Sequence, residues 1–129
     1  MPQFDQRKAA DKPADSVTAQ EKPSLLGMLR RYSAQQRNER ICIDTLRDYM
    51  RTLQNRKRKF APTSENEIPD DRYAEACILL DSVERLLDTL THGLTSEREE
   101  AVAILLKDGR LEQIQEQVRQ IRAEDKEGT

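Results

Sequence analysis

Leu25, Tyr32, Glu39, Leu46, Leu53 and Phe60 recur every seven residues, and beside them run Leu29, Gln36, Ile43, Met50 and Lys57. Two adjacent rows at this spacing share one face of a helix, so the pattern predicts a single helix over about 24–59 with coiled-coil-like heptads. Ser24 suits the N-cap, because its side chain can accept an otherwise orphaned backbone N–H. The stretch contains no proline, and its one glycine, Gly27, falls in the first turn. The seam is apolar at both ends but polar at Gln36 and Glu39. The two halves of the helix are therefore expected to meet different neighbours.

Residues 61–67 (APTSENE) are rich in helix breakers and predict a loop. Ile68-Pro69-Asp70-Asp71 then opens a second helix, with proline suited to a first turn and carboxylates favoured at the positive end of the helix dipole. Its stripe is Tyr73, Ala76, Leu80, Val83, Leu87 and Leu90, and Gly93 reads as a C-cap with Leu94 folding back. Ser96 to Glu99 reads as the capping box of a third helix that stops at Asp108-Gly109. A fourth helix over 110–123 places Leu111, Ile114, Val118 and Ile121 on one face.

The expected fold is all-α: a long antiparallel helical hairpin plus two shorter helices, in an elongated three- to four-helix arrangement. Residues 1–23 have low hydrophobicity, Pro2, Pro13 and alternating charge, and are expected to form a disordered N-terminal tail. Residues 24–124 would form one helical domain and 125–129 a frayed end. At ~1.5 Å rise per residue the first helix would reach roughly 54 Å and the second roughly 35 Å. An antiparallel pairing then sets Leu53 near Ala76, Leu46 near Val83 and Glu39 near Leu90. Leu25, Leu29 and Tyr32 would extend past the second helix and need cover, from the later helices or from a partner.

Composition supports this and adds an asymmetry. Charged residues make up 36% of the chain and aromatics 4%, with no tryptophan, which suits long helices with narrow apolar stripes. Residues 24–60 carry ten Lys/Arg against Glu39, Asp44 and Asp48, whereas residues 61–129 carry eight Lys/Arg against seventeen Asp/Glu. Arg30, Arg37, Arg51 and Arg58 fall on one seven-residue row interrupted only by Asp44, with Arg40 and Arg47 on a parallel row. Arginine favours bidentate contacts to phosphate or carboxylate. Arg56-Lys57-Arg58-Lys59 is denser than helix capping requires and resembles a nuclear-import or nucleic-acid patch. The same residues can equally be a solvated face paired with the acidic helices.

Enzymatic chemistry is not expected. His92 is the only histidine, neither Cys42 nor Cys77 has a neighbour at metal-ligand spacing, and the four glycines build no phosphate loop. The carboxylate clusters lie at predicted helix starts, where the dipole explains them. No cofactor, metal or small-molecule substrate is therefore expected. The polar opening MPQFDQRKAADK and the absence of a long apolar run predict a soluble intracellular protein with reduced thiols, cytoplasmic, or nuclear if the source is eukaryotic. A membrane-surface role for Leu25, Leu26, Met28 and Leu29 is weighed against partner contact, which the continuing helix favours.

The leading expectation is a non-catalytic helical adaptor or assembly subunit acting through helix–helix contacts, self-association included. Leu25, Leu29 and Tyr32 would bind protein. Arg30, Arg37, Arg40, Arg47, Arg51, Arg56, Lys57, Arg58 and Lys59 would meet phosphate or an acidic partner. One alternative is a nucleic-acid module that contacts backbone phosphates without strong sequence preference. Another is a small acidic chaperone for a secreted or viral client.

Overall fold

The computed structural model describes residues 24–127, whose regular structure is entirely helical. Helix α1 spans Leu25–Lys59, α2 Asp71–His92 and α3 Thr95–Leu106. A 3₁₀ turn, Lys107–Gly109, leads into α4, Arg110–Glu127. The tail expected at 1–23 lies outside the described residues. Contacts divide the chain into two units at Gln36/Arg37, and each is described by itself.

Of the first unit the structure describes residues 24–36. Ser24 caps α1 as expected: its Oγ accepts the Gly27 N–H at 3.0 Å and its carbonyl accepts that of Met28 at 3.0 Å. One turn further on, Gln36 Nε2 donates to the Tyr32 hydroxyl at 3.0 Å.

The second unit is built around one core. Cys42, Leu46, Tyr49 and Leu53 of α1 are at most 5% exposed, and Ala76, Leu80, Val83 and Leu90 of α2 join them. The hairpin is antiparallel. Near the loop the Arg72 guanidinium lies 3.9 Å from the centre of the Phe60 ring, and at the far end Arg98, in the first turns of α3, reaches Glu39 at 3.4 Å. Of the three pairs expected to meet across it, Leu46, Leu53, Ala76, Val83 and Leu90 are buried and Glu39 is half-buried. Each buried leucine contributes about 1.5–3 kcal/mol of transfer free energy.

The third and fourth helices complete this core. Ala101, Val102 and Leu105 of α3 are buried, as are Leu111, Val118 and Ile121 of α4. The Tyr49 hydroxyl donates to Gln117 Oε1 at 3.1 Å, and Arg56 Nη2 to Glu124 Oε1 at 2.9 Å. Both partners are 68 positions apart, so α4 runs parallel to α1 in constant register. The two contacts are one heptad apart on each helix, the period at which parallel helices at a shallow crossing angle meet again.

Several local expectations are corrected. Helix α2 starts at Asp71 with Asp70 as its cap, so Pro69 precedes the helix instead of sitting in its first turn. Gly93 is extended (φ −75°, ψ 168°) rather than left-handed, and Leu94 is exposed. Glycine is needed there for space, since a Cβ would stand 2.5 Å from the Thr89 carbonyl oxygen. Helix α3 begins at Thr95, not after Ser96: Glu97 Oε1 accepts the Leu94 N–H at 2.8 Å, so the reciprocal box reduces to one bond. Asp108 and Gly109 take positive φ (56° and 70°) and turn the chain into α4, as their residue types suggested. The last helix runs to Glu127, past the bound of 123 expected for it, and Arg56 and Lys59 hold its final turns.

The buried seam of α1 also differs from the expected one. The row Cys42, Tyr49 and Arg56 is buried beside Leu46 and Leu53, whereas Ile43 and Met50 are half-buried. Two helices cover this part of α1, and α4 draws the neighbouring row, with Thr45 and Thr52, into the interior.

Candidate interaction surfaces

The large apolar residues described in the first unit are at the surface. Leu25 is 72% exposed, Tyr32 62%, Leu26 56%, Leu29 53% and Met28 51%. All follow from the same periodicity, which places Leu25, Met28, Leu29 and Tyr32 on adjacent rows of one helix.

The basic residues separate into two groups. Arg30, Arg37, Arg40, Arg47, Arg51 and Arg58 are exposed. Arg58 Nη2 donates to Asn55 Oδ1 one turn back at 2.8 Å. The tetrad 56–59 is not one surface patch. Arg56 is 7% exposed and lies 2.9 Å from Glu124 and 3.6 Å from Asp125 Oδ1. The second distance is an ion pair without a hydrogen bond. Lys59 Nζ donates to the Asp125 carbonyl, and Lys57 is half-buried. Arg56 thus fastens α4 to α1, leaving Arg58 as the solvent-exposed guanidinium of the cluster. Cys42 and Tyr49 precede Arg56 at seven-residue steps, a pattern that permits an inward row, which the contacts with α4 then select.

The same end of the hairpin holds a shifted carboxylate. Asp70 accepts the Arg72 backbone N–H at 2.8 Å and its side chain at 2.8 and 3.0 Å. The Arg72 side chain is the largest cause and the backbone bond the next, and together they hold the Asp70 pKa down at about 2.

Between α1 and α4 runs a groove of about 650 Å³. Asp44, Thr45, Arg47, Asp48 and Arg51 line it from α1, and Gln115, Val118, Arg119 and Arg122 from α4. Arg122 pairs with Asp48 across it, and Arg119 Nη2 donates to Glu116 on its own helix at 2.6 Å. Sequence reasoning found Arg47 and Arg51 but missed Arg119 and Arg122. Both flank Val118, one and four residues after it, and so border the apolar stripe of α4.

Cys42 and Cys77 are free thiols. Burial, and after it the Glu39 carboxylate, pushes the Cys42 thiol above its ordinary pKa, which keeps it protonated. His92, in the last turn of α2, is exposed with Nδ1 3.2 Å from Asp88 Oδ1. Among the described residues no group of three or more His, Cys, Asp and Glu side chains is placed to hold a metal ion. No described helix is long and apolar enough to cross a membrane. No family model matches the chain, and neither does any curated protein or solved structure.

Proposed function

We propose that the chain is a non-catalytic helical adaptor or assembly subunit that works through helix–helix contact. Leu25, Leu29 and Tyr32 dock a protein partner, and the exposed arginines of α1 set its orientation and speed the encounter. One observation carries this reading: five large apolar side chains between Leu25 and Tyr32 are 51–72% exposed. Contiguous apolar surface of this kind marks interaction sites, since leaving it in water forgoes the transfer free energy that burial supplies.

The test is molar mass by light scattering, compared with the 14.9 kDa of one chain, together with capture of partners from the native source with and without nuclease. Support is a higher mass, or a nuclease-resistant protein partner, that is lost in the triple variant Leu25→Ser, Leu29→Ser, Tyr32→Ser. A cooperatively folded 14.9 kDa monomer that retains no partner overturns the reading.

The exposure of Arg30, Arg37, Arg40, Arg47 and Arg51 favours a second reading, a module contacting nucleic-acid backbone phosphates. It requires affinity that falls steeply with salt, by a log–log slope of about 0.7–0.9 for each phosphate neutralised. Replacing Lys57, Arg58 and Lys59 by Gln should flatten that slope. Arg56 is left in place because it holds α4. Unchanged binding in this variant, or no binding at low salt, removes the second reading.

A further inference from the structure

The groove between α1 and α4 holds more positive charge than the packing of those helices uses. Arg47 and Arg51, four residues apart, form one wall, and Arg119 and Arg122, three apart, form the other. Asp44 and Asp48 are the carboxylates lining the groove and Glu116 pairs with Arg119 beside it, so four cations meet three anions and a positive surplus remains. The floor is neutral, formed by Thr45 and Val118 at 8% and 4% exposure. Of the four arginines, Arg122 alone bridges the two helices, through Asp48. Arg119 is held by Glu116 on its own helix, and among the described residues no hydrogen bond or ion pair engages Arg47 or Arg51.

We propose that this groove docks an acidic helix of a partner protein, one with carboxylates at i, i+4 spacing beside small or apolar residues. The inference deepens the adaptor reading and rests on it, by giving the partner's chemistry. Because α1 and α4 run parallel in constant register, the trough between them is straight, and a third helix lies along it at ordinary packing distance. Carboxylates four residues apart are separated by about 6 Å along a helix axis, the spacing of Arg47 and Arg51. The neutral floor receives the apolar stripe of such a helix, and guanidinium groups on both walls meet its carboxylates in bidentate geometry.

Asp44 and Asp48 choose between ligand classes. A phosphodiester backbone carries the same negative charge at every step, so it brings phosphates against both aspartates. A helix varies its residues every three or four positions and sets a neutral or basic side chain opposite each aspartate. Mixed charge in the groove therefore selects register in a protein ligand and repels a uniform polyanion.

The experiment is fluorescence anisotropy on the full chain with a labelled alanine-based peptide of about 20 residues, long enough to be helical in water. Its glutamates lie on one face at i, i+4 beside leucine. Two competitors of equal charge are used: a peptide of the same composition with glutamates dispersed around the helix, and a single-stranded oligodeoxynucleotide. The one-face peptide is expected to bind at low salt and at least about fivefold more tightly than either competitor, since only it matches the register. The double variant Arg47→Gln, Arg51→Gln is expected to weaken it about tenfold, as two exposed pairs near the upper end of their usual strength. Arg119→Gln weakens it less, because Glu116 already competes for that guanidinium.

Circular dichroism and the thermal midpoint of these variants are expected to match wild type, since the replaced side chains are exposed. Equal binding of either competitor, unchanged affinity in the double variant, or no peptide binding by wild type overturns the proposal. The Leu25→Ser, Leu29→Ser, Tyr32→Ser chain separates this from the adaptor reading. Peptide binding retained there supports the groove whatever the mass measurement shows, and binding lost there but kept in the arginine double variant overturns it.

Discussion

Leu25 and Leu46 occupy the same seven-residue row of one helix, yet Leu25 is 72% exposed and Leu46 is fully buried. The pairs Tyr32 with Leu53, and Leu29 with the half-buried Ile43, repeat the contrast. The heptad pattern is of similar quality in both stretches. What differs is the neighbourhood, because Leu46 and Leu53 share a core with α2, α3 and α4. Periodicity therefore reports that a face seeks cover, not what covers it. The lesson extends to charge, since Arg56 is buried in ion pairs while Arg58, two residues on, is exposed.

The sharpest way to break this comparison is to truncate both members of the row. Leu46→Ala removes a fully buried side chain and should cost about 2–5 kcal/mol in urea unfolding, including the cavity left behind. Leu25→Ala should stay within about 0.5 kcal/mol of wild type, as exposed substitutions do. Equal losses at the two sites would show that Leu25 is covered in solution, which would itself locate the partner surface.

The charged pair gives the next largest difference. Arg56→Gln leaves Asp125 facing α1 without its counter-ion and should cost about 1–3 kcal/mol. The figure falls short of a fully buried pair because Glu124 is 63% exposed and screened by water. Arg58→Gln should change the urea midpoint negligibly. Amide exchange in the last two turns of α4 should rise in the first variant alone.

Ser24→Ala tests the exposed half directly. Loss of the bond from the Gly27 N–H should destabilise the first turn of α1 by about 0.5–2 kcal/mol. Faster amide exchange is expected near Met28 and Leu29, without a shift in the global thermal midpoint. A fall in the global midpoint would mean that this end contributes to the cooperative fold.

The smallest effect is the pH dependence at Asp70. Its pKa is depressed from 3.8 to about 2 by Arg72, so its stabilising contribution is present above about pH 3.8. That contribution is lost as the pH falls through 2. The Asp70 side chain is 35% exposed and so screened by water at the loop end of the hairpin, so the change should be modest and should vanish in Asp70→Asn. An NMR titration of Asp70 with an ordinary midpoint would contradict the Arg72 contact.

Much of the fold was legible because it depends on local rules. The helix periods, the Ser24 cap and the Asp108-Gly109 turn all follow from residues within a few positions of one another. The Gly93 turn was located correctly but with the wrong geometry, since its glycine answers a close approach to the Thr89 carbonyl that periodicity does not reveal. The basic residues of the candidate surfaces were legible as charges. Their roles were not, because Arg56 is defined by Glu124 and Asp125, 68 and 69 positions away.

Alone, then, the sequence determined an all-α chain, its helix order, a basic first helix and an acidic remainder. These are consequences of side-chain period, capping chemistry and composition, each set within a few turns. Tertiary structure alone decided that α4 runs parallel to α1, that the row of Cys42, Tyr49 and Arg56 faces inward, and that Arg119 and Arg122 stand opposite Arg47 and Arg51. Those outcomes depend on which helices meet and in what register. Packing and long-range ion pairs set that, and neither leaves a periodic signature in a single helix.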